Sequence, residues 1–393
     1  MKLATIYSGV MMSLFFLAFF LIYGGAHLYV FSKVKAALSP GIPASLFLAL
    51  FLFLMVVTPV QVRVLENRGL ETFARFMAYT GYLWMGFIFL FFTASLAIDI
   101  YHGLLRLAGF IFHWNYSALF CDKRTALILS VAWAAAAGVY GYFEARDIRI
   151  ERVVINTPKI SRAAGKITIV QISDVHLGLI VRGERLKRII AEIRRASPHL
   201  LISTGDLVDG QINRMTGLAE LLQDIRPELG KFAVTGNHEV YAGLDQAIGF
   251  TERAGFRVLR NEGITAGGLI NVVGIDDPAI GKIAGFRPVP EKSLLLKVPP
   301  DRFTLLLKHR PSVDPESLGH FDLQLSGHVH KGQIFPFNLL TFVFYPVRTG
   351  FAQYPRNSSL YVSRGTGTWG PPIRLMSPPE VTVIELIHSG KGK

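Results

Sequence analysis

The sequence is poor in cysteine and in charged side chains. Its single cysteine, Cys121, excludes an internal disulfide and a metal site built from clustered thiolates. Charged residues make up 18% of the 393 residues, and hydrophobic residues make up 51%. We find no internal repeat, no low-complexity tract and no block of Lys and Arg within the net charge of +13. These features exclude a disordered chain and a collagen-like repeat, and they indicate a membrane part joined to a soluble part.

Four long apolar stretches precede residue 147 and predict an all-α transmembrane region over residues 1–147. Each stretch approaches or exceeds the ~20 residues that cross a bilayer core. The predicted spans are residues 3–30, 43–62, 77–98 and 125–143. The first is too long for a signal peptide, and we expect it to be retained. Residues 101–120 are either an interfacial segment or a continuation of the third span.

The Lys and Arg residues of the connecting loops predict the orientation. Seven lie on the side of the N-terminus: Lys2, Arg63, Arg68, Arg75, Arg146, Arg149 and Arg152. Five lie on the other side: Lys33, Lys35, Arg106, Lys123 and Arg124. The positive-inside rule therefore favours a cytoplasmic N-terminus and a cytoplasmic C-terminal domain in an inner or plasma membrane.

From about residue 148, short β-type runs alternate with amphipathic helical patterns. The clearest strands are residues 166–173, 199–204, 231–235, 271–275, 303–308, 322–325, 360–363 and 381–386. Residues 185–195 carry apolar side chains at helical spacing, and residues 217–225 and 244–254 also have helical patterns. The pattern predicts an α/β domain in which two packed sheets are flanked by helices.

Five of these strands are each followed by Asp, Asn or His. The residues are Asp174, His176, Asp206, Asn237, His238, His309, His328 and His330. Ligands of open α/β sheets bind beyond the carboxyl ends of the strands, so these loops are expected to converge. Imidazole and carboxylate ligands suit Mn, Fe, Zn or Co, and the two carboxylate oxygens of Asp206 can bridge two ions. Gly205, Gly236 and Gly327 permit tight turns and leave room beside such ions.

The segments DVHLG, GDLVDG, GNHE, KHRP and GHVHKGQ occur in this order. They resemble the ordered motifs of the calcineurin-like metallophosphoesterase superfamily, and the resemblance covers roughly residues 165–388. The closing segment RGTG…PPIRLMSPPEVTVIEL is similar to the end of the bacterial membrane-associated branch of that family. The resemblance implies a metallophosphoesterase domain over residues 148–393 with a two-layer sandwich fold.

The resemblance also implies a ligand set for two divalent ions. One ion is expected to bind Asp174, His176, Asp206 and His330, and the other Asp206, Asn237, His309 and His328. Mn²⁺ is favoured, with Fe, Zn, Co or Mg as alternatives. The ions would activate a water for attack on phosphorus. His238 corresponds to a family histidine that faces the substrate, and it would stabilise charge or protonate the leaving oxygen; the alternative is that it orients Asn237.

Several residues near the motifs are candidates for contact with substrate. Arg182, Arg310, Lys331 and Arg364 can meet phosphate oxygens, or they are surface charges and salt-bridge partners. The apolar run over residues 334–345 contains Phe342 and Phe344. It is either an acyl-chain groove or membrane dock, or it includes an ordinary buried strand over residues 340–345.

Together these observations predict a membrane-anchored two-metal phosphohydrolase that cleaves a phosphodiester or diphosphate bond. The lipid bilayer is the expected partner, and an amphiphilic substrate is favoured, such as UDP-2,3-diacylglucosamine, which related family members cleave, or a phospholipid. One alternative is a non-catalytic membrane sensor or scaffold, against which the complete motif set argues. The other is a nuclease, which is disfavoured because no basic block or DNA-reading domain is evident.

Overall fold

The structure, a computed structural model, describes residues 2–210, 217–282 and 289–390, with side-chain surroundings from residue 17 onward. The side chains at the start of the predicted span over residues 3–30 therefore lie outside the described part. The chain forms two compact units. One comprises Met1–Phe143 with Gly370–Ile373, and the other comprises Glu144–Trp369 with Arg374–Lys393.

The first unit contains four long helices. They are α1 (Lys2–Leu38), α2 (Ile42–Asn67), α3 (Glu71–Phe112) and α4 (Lys123–Glu144). All four are long and apolar enough to cross a membrane. Large apolar side chains such as Ile42, Phe47 and Phe110 are exposed on them, as expected for surfaces that face lipid and not water. The predicted four-helix apolar region is confirmed.

Helix α3 is much longer than the predicted third span. It continues without a break from Glu71 to Phe112. Residues 101–112 therefore extend the third helix, in agreement with the second alternative and not with a separate interfacial segment. Apolar side chains occur along the whole length of this helix. It ends at Phe112, and the next residue, His113, has a left-handed backbone conformation.

Polar contacts join α1 to α3 within the first unit. The Tyr29 hydroxyl donates to Asp99 Oδ2 at 2.6 Å, and Lys33 forms an ion pair with the same carboxylate. His27 is buried, its Nδ1–H donates to the Tyr23 carbonyl, and its Nε2 accepts from Trp84 Nε1–H at 3.0 Å. In an apolar medium such groups are stable only when they are paired, so these contacts favour one packing arrangement of the two helices.

The second unit is built on two six-stranded mixed sheets. The strands are β1 (Arg149–Thr157), β2 (Lys166–Ile172), β3 (Leu200–Ser203), β4 (Lys231–Ala233), β5 (Arg257–Val258), β6 (Glu262–Ala266), β7 (Ile270–Gly274), β8 (Phe303–Leu307), β9 (Leu323–Ser326), β10 (Gly350–Tyr354), β11 (Ser358–Val362) and β12 (Glu380–His388). The first sheet has the order β1-β12-β2-β3-β4-β5, and the second has the order β10-β11-β9-β8-β7-β6.

Short helices connect and flank these strands. They are α5 (Gly183–Ala196), α6 (Leu218–Gln223), α7 (Asn237–Ala242), α8 (Leu244–Arg253), α9 (Glu291–Leu295) and α10 (Phe337–Phe344). In α5, the residues Leu186, Ile189, Ile190 and Ile193 are buried on one face and pack with the outer face of the first sheet.

A continuous apolar core lies between the two sheets. Ile169, Ile202 and Ile384 from the first sheet belong to one buried cluster with Leu305 and Leu325 from the second. Because successive side chains of a strand point to opposite faces, neighbours such as Val170 and Leu201 pack instead against the helices. The predicted α/β two-sheet sandwich with flanking helices is confirmed.

Candidate metal centre

The motif residues follow the carboxyl ends of parallel strands. Strands β2, β3 and β4 are parallel neighbours in the first sheet, and β8 and β9 are parallel neighbours in the second. The loops after them carry the predicted residues: Asp174, His176, Asp206, Asn237, His238, His309, His328 and His330. The two sheets are packed face to face, so one edge of the sandwich collects all five loops.

These loops turn sharply, and several motif residues have a left-handed backbone. The φ angles are 52° at Asp174, 53° at His176, 52° at Asp206, 72° at His328 and 49° at His330. Such angles are uncommon for residues other than glycine and cost free energy. Their concentration here indicates that the loops are held in these conformations to aim side chains at a common point.

Two glycines leave space for the motif carboxylates. A Cβ atom on Gly236 would lie 2.1 Å from Asp206 Oδ1, and one on Gly327 would lie 2.2 Å from Asp174 Oδ2. Any side chain at either position would therefore displace the carboxylate. The room that the glycines were expected to provide is present at these two positions.

The side chains form three overlapping clusters whose ligand atoms lie within 4.8 Å of one another. The clusters are Asp174 with His176 and His330, Asp206 with His309 and His328, and His176 with Asp206 and His238. His176 Nε2 lies 3.1 Å from His330 Nε2, and His309 Nε2 lies 3.1 Å from Asp206 Oδ2. Asp206 and His176 each belong to two clusters, so the clusters form one continuous centre.

The unsatisfied atoms of this centre fit bound cations. Asn237 Oδ1 and His176 Nδ1 are buried and have no hydrogen-bond partner among the residues that the structure describes. Two imidazole nitrogens at 3.1 Å, as in His176 and His330, attract each other only if a proton or a cation lies with them. Nitrogen and carboxylate ligands together suit first-row transition metals. The residues therefore fit a binuclear divalent centre.

Burial keeps three of the imidazoles neutral. It lowers the pKa of His176 to about 4 and, together with the charge on His309, the pKa of His328 to about 3. Burial and the charge of Arg374 also lower the pKa of His330. A neutral imidazole has the free lone pair that a metal requires. These three side chains are therefore ready to bind a cation over the whole neutral range.

His309 and Asp206 have the opposite electrostatics. Burial lowers the pKa of His309, but the carboxylates of Asp206 and Asp174 outweigh it and raise that pKa to about 10. Burial raises the pKa of Asp206, but the charges of His309 and His238 hold it well below its usual value. The His309 Nδ1–H donates to the Thr204 carbonyl at 2.8 Å, which directs Nε2 toward Asp206. A cation that binds His309 must displace a proton from it.

One nitrogen of His238 is paired with an acid that lies outside the predicted ligand set. Its Nδ1 lies 2.9 Å from Asp209 Oδ1. Burial lowers the pKa of His238, but the carboxylates of Asp206 and Asp209 outweigh this effect and raise the pKa to about 9. The imidazole also packs edge-on against His176, with 4.6 Å between ring centroids. The role of Asp209 was missed from the sequence, although it lies three residues after Asp206 in GDLVDG.

Glu239 joins two of the motif loops. Its carboxylate accepts hydrogen bonds from the backbone N–H groups of Asp206 at 2.9 Å, Leu207 at 2.8 Å and Gly236 at 2.7 Å. Burial and the neighbouring Asp206 charge raise the pKa of Glu239 to about 7. Glu239 is part of the motif GNHE. Its role could not be predicted from the sequence, because two of its backbone partners lie more than thirty positions away along the chain.

Arg374 is a fully buried arginine beside the centre, and it was also missed from the sequence. Its Nη2 lies 3.1 Å from His330 Nδ1, and its guanidinium donates to the carbonyls of Arg364, Gly367 and Ser377. It therefore links the His330 loop to the chain segment that closes the domain. The closing segment that contains PPIRLMSPPE resembled the family as a whole, but nothing in its sequence distinguished Arg374 from the residues around it.

The candidate phosphate-binding charges have other partners. Arg310 forms an ion pair with Asp277 at 2.8 Å, and Arg364 pairs with Glu380 at 2.8 Å and with Glu151. Arg182 Nε donates to the Gly178 carbonyl, and Lys331 is half-buried. The ion pairs match the salt-bridge alternative for Arg310 and Arg364, and substrate contact for all four stays a prediction.

The apolar run after the last motif forms helix α10 and not a strand. The buried strand considered for residues 340–345 is wrong, because this stretch is helical through Phe344 and none of its side chains is buried. The run is apolar at nearly every position, so it lacks the alternation that would have separated strand from helix. Phe342 is 56% exposed and Phe344 is 77% exposed. Such exposure is unusual for phenylalanines in contact with water.

Comparison with known proteins is consistent with this geometry. The family model for the calcineurin-like phosphoesterase matches residues 167–332. A protein of Aquifex aeolicus, described as an uncharacterized metallophosphoesterase, is 38% identical over 66% of this chain and 98% of its own length. Another similar protein, from Danio rerio, is described as a transmembrane protein with metallophosphoesterase domain. It is 30% identical over a match that covers 67% of this chain and 63% of the Danio rerio protein.

Among solved structures, this chain is similar to a 5′-nucleotidase precursor from Thermus thermophilus. The TM-score is 0.34 and the sequence identity is 18%. The match covers 56% of this chain and 54% of that one.

The shared position of Asp206 yields a direct prediction. Asp206→Asn is expected to lower the bound metal below two ions per chain, because the amide removes the negative charge of a side chain that belongs to two of the three clusters. Metal affinity should fall by more than the roughly 10–100-fold that loss of an outer partner causes. Metal analysis of the purified full-length protein measures this, with the exposed Asp245→Asn as the matched control. Two tightly held ions in Asp206→Asn at wild-type turnover would contradict the bridging position.

Proposed function

Since this chain belongs to the calcineurin-like phosphoesterase family and is a metal-dependent phosphoester hydrolase, we propose that it cleaves a phosphodiester or diphosphate bond in a lipid-linked substrate. Four helices able to span a membrane precede the phosphoesterase domain. They make the enzyme a membrane-associated one, and the lipid substrate is the proposed extension.

In this proposal one ion is held by Asp174, His176, Asp206 and His330, and the other by Asp206, Asn237, His309 and His328. The clusters around Asp206 and Asp174 support this division, and so does the unpartnered Oδ1 of Asn237. Mn²⁺ is the favoured metal, with Fe, Zn, Co or Mg as alternatives. When bound, two such ions supply charge that offsets the phosphate oxygens and a water of lowered pKa.

The role proposed for His238 is that of a general acid. Hydrolysis forms a bond between phosphorus and the water oxygen, breaks the bond to the leaving oxygen, and leaves a proton on that oxygen. His238 lies beside His176 at the centre, and its Nδ1 is held by Asp209, so its Nε2–H is free to donate the proton. The pairing with Asp209 orients the imidazole in the way that a carboxylate orients a catalytic histidine.

Helix α10 is the observation that carries the lipid substrate. It begins seven residues after His330, exposes six apolar side chains, and is followed by Tyr345, whose ring lies 5.7 Å from the His328 ring. Contact with a membrane or with acyl chains would remove these side chains from water, and this supports a lipid substrate. The Arg348 guanidinium lies 5.0 Å from the Phe342 ring centroid, where it is suited to lipid phosphate.

Two amphiphilic substrates combine the required bond with acyl chains. One is a nucleotide-linked lipid such as UDP-2,3-diacylglucosamine, and the other is a phospholipid. In both, the scissile phosphorus lies within a few bonds of the acyl region. A helix beside the metal centre that takes up acyl chains therefore suits either one.

We also propose that the catalytic domain is cytoplasmic in an inner or plasma membrane. The excess of Lys and Arg on that side of the predicted spans supports this orientation. With four spans, the segment between α3 and α4, which contains Cys121, then faces the opposite side of the membrane.

The single cysteine tests the orientation. A membrane-impermeant maleimide added to intact cells is expected to label Cys121, because that residue is half-exposed and follows the third span. In a Cys121→Ser background, Ser389→Cys should react only after permeabilisation. Labelling of Ser389→Cys in intact cells would place the catalytic domain outside.

Replacement of His238 separates an acid from a metal ligand. His238→Ala is expected to retain both ions and to slow turnover by roughly 10²–10⁴-fold, which is the usual contribution of a positioned acid–base group. Metal content and single-turnover rates are measured on the same preparation. Loss of an ion would make His238 a ligand, and an unchanged rate would remove it from the mechanism.

Polar substitution in α10 tests the lipid substrate. Phe342→Ser with Phe344→Ser is expected to lower hydrolysis of a lipid substrate in vesicles at least tenfold, because each buried phenylalanine contributes about 1.5–3 kcal/mol. Hydrolysis of a soluble phosphodiester such as bis(p-nitrophenyl) phosphate should stay nearly constant, which also shows that the domain is folded.

The matched control replaces apolar residues that are exposed elsewhere in the same unit. Val154→Ser with Leu296→Ser removes two such side chains far in sequence from α10. This control should leave both activities unchanged. An equal loss on both substrates in the α10 variant would mean that the helix supports the fold, and equal retention would argue against a lipid substrate.

A further inference from the structure

Two exposed aromatic rings lie against His238. The Tyr241 ring is 5.3 Å and the Trp369 ring is 6.0 Å from the His238 imidazole, centroid to centroid. Tyr241 is 56% exposed and Trp369 is 54% exposed. Large aromatic side chains at the mouth of a catalytic centre are available to contact a ligand.

The backbone of Trp369 is held by the buried side chain of Gln333. The amide of Gln333 accepts from the Trp369 backbone N–H at 2.9 Å and donates to the Trp369 carbonyl at 2.8 Å. Gln333 itself is buried and is the last residue of the GHVHKGQ motif. The backbone of Trp369 is therefore held by a residue of the last metal motif, while its indole ring is exposed. A backbone held in advance reduces the conformational entropy that ligand binding costs.

The two sides of the centre carry different chemistry. On the His238 side lie Trp369 and Tyr241, aromatic rings with polar tips. On the His328 side lies Tyr345, the residue that directly follows the apolar helix α10. A substrate with an acyl region on the α10 side therefore presents its other fragment to the two rings beside His238.

We propose that Trp369 and Tyr241 form a subsite for a planar nucleobase on the fragment that leaves from the His238 side. This inference rests on the proposed function, and it narrows the substrate to a nucleotide-linked lipid. Every nucleobase has a π-face that stacks on an aromatic side chain, so the subsite recognises the ring with little dependence on which base it is. His238 donates its proton to the leaving oxygen, and the two rings hold the base of that same fragment.

Ligand binding to the metal-loaded full-length protein in detergent micelles tests the subsite. The probes are uridine monophosphate, adenosine monophosphate and glycerol 3-phosphate, which share the phosphate and differ in the ring. Both nucleotides are expected to bind the wild type about 10–100-fold more tightly than glycerol 3-phosphate. Trp369→Leu should reduce this advantage to within about threefold without changing the affinity for glycerol 3-phosphate. Trp369→Phe, which keeps a ring, should retain most of it.

Three results would overturn the proposal. The first is equal affinity of the wild type for nucleotides and glycerol 3-phosphate. The second is an equal loss for all probes in Trp369→Leu, which would make the indole a structural element of the phosphate site. The third is unchanged binding in that variant with a selective loss of activity on vesicles, which would make Trp369 a membrane contact.

Two measurements on the wild-type protein, lipid hydrolysis and nucleotide preference, separate this inference from the proposed function. If the wild type hydrolyses a lipid substrate in vesicles but does not prefer nucleotides, the base subsite fails and the lipid phosphohydrolase stands. If nucleotides bind preferentially and no lipid is hydrolysed, the lipid substrate of the proposed function fails. Tryptophan fluorescence provides a second readout, because the other three tryptophans, Trp84, Trp114 and Trp133, lie in the helical unit.

Discussion

The structure of the catalytic domain depends on the burial of the Asp206 carboxylate among imidazoles. A buried carboxylate is costly unless positive charge and hydrogen bonds surround it. His309 supplies charge at 3.1 Å, and the backbone N–H of His238 donates to Asp206 Oδ1 at 2.8 Å. The Nε2 atoms of His176 and His330 also lie 3.1 Å apart, and a proton or a cation between them stabilises this arrangement. The same requirement that stabilises the folded site thus creates its capacity for metal-dependent hydrolysis.

The fold meets this requirement through loops that are tied to one another. Glu239 binds the backbone of two motif loops, and Arg374 binds a third. These contacts hold left-handed residues such as Asp174 and Asp206 in conformations that a free loop would avoid. The two packed sheets give the loops a rigid base, because the core between them is buried and continuous. Precise ligand geometry therefore rests on partners that are not themselves ligands.

Apolar surface recurs in both units of the chain. The four long helices expose apolar side chains in the parts where side-chain surroundings are described, and α10 in the catalytic domain does the same. Around the metal centre, polar-tipped aromatic rings lie by His238, while Tyr345 by His328 leads into α10. This asymmetry supports the proposed amphiphilic substrate, because the two ends of such a compound need opposite surroundings on either side of one scissile bond.

The sequence by itself determined the four apolar helices, the two-sheet class and the metal motifs, because these depend on local composition, periodicity and short spacings. It could not determine the state of residues 340–345, where an unbroken apolar run fits a strand or a helix equally well, nor the length of α3. Only the tertiary structure decided that Asp209 pairs with His238, that Glu239 caps two loops and that Gln333 holds Trp369. All three contacts join residues some thirty positions apart, and all three depend on side-chain direction, which is set by chain packing and not by any local pattern.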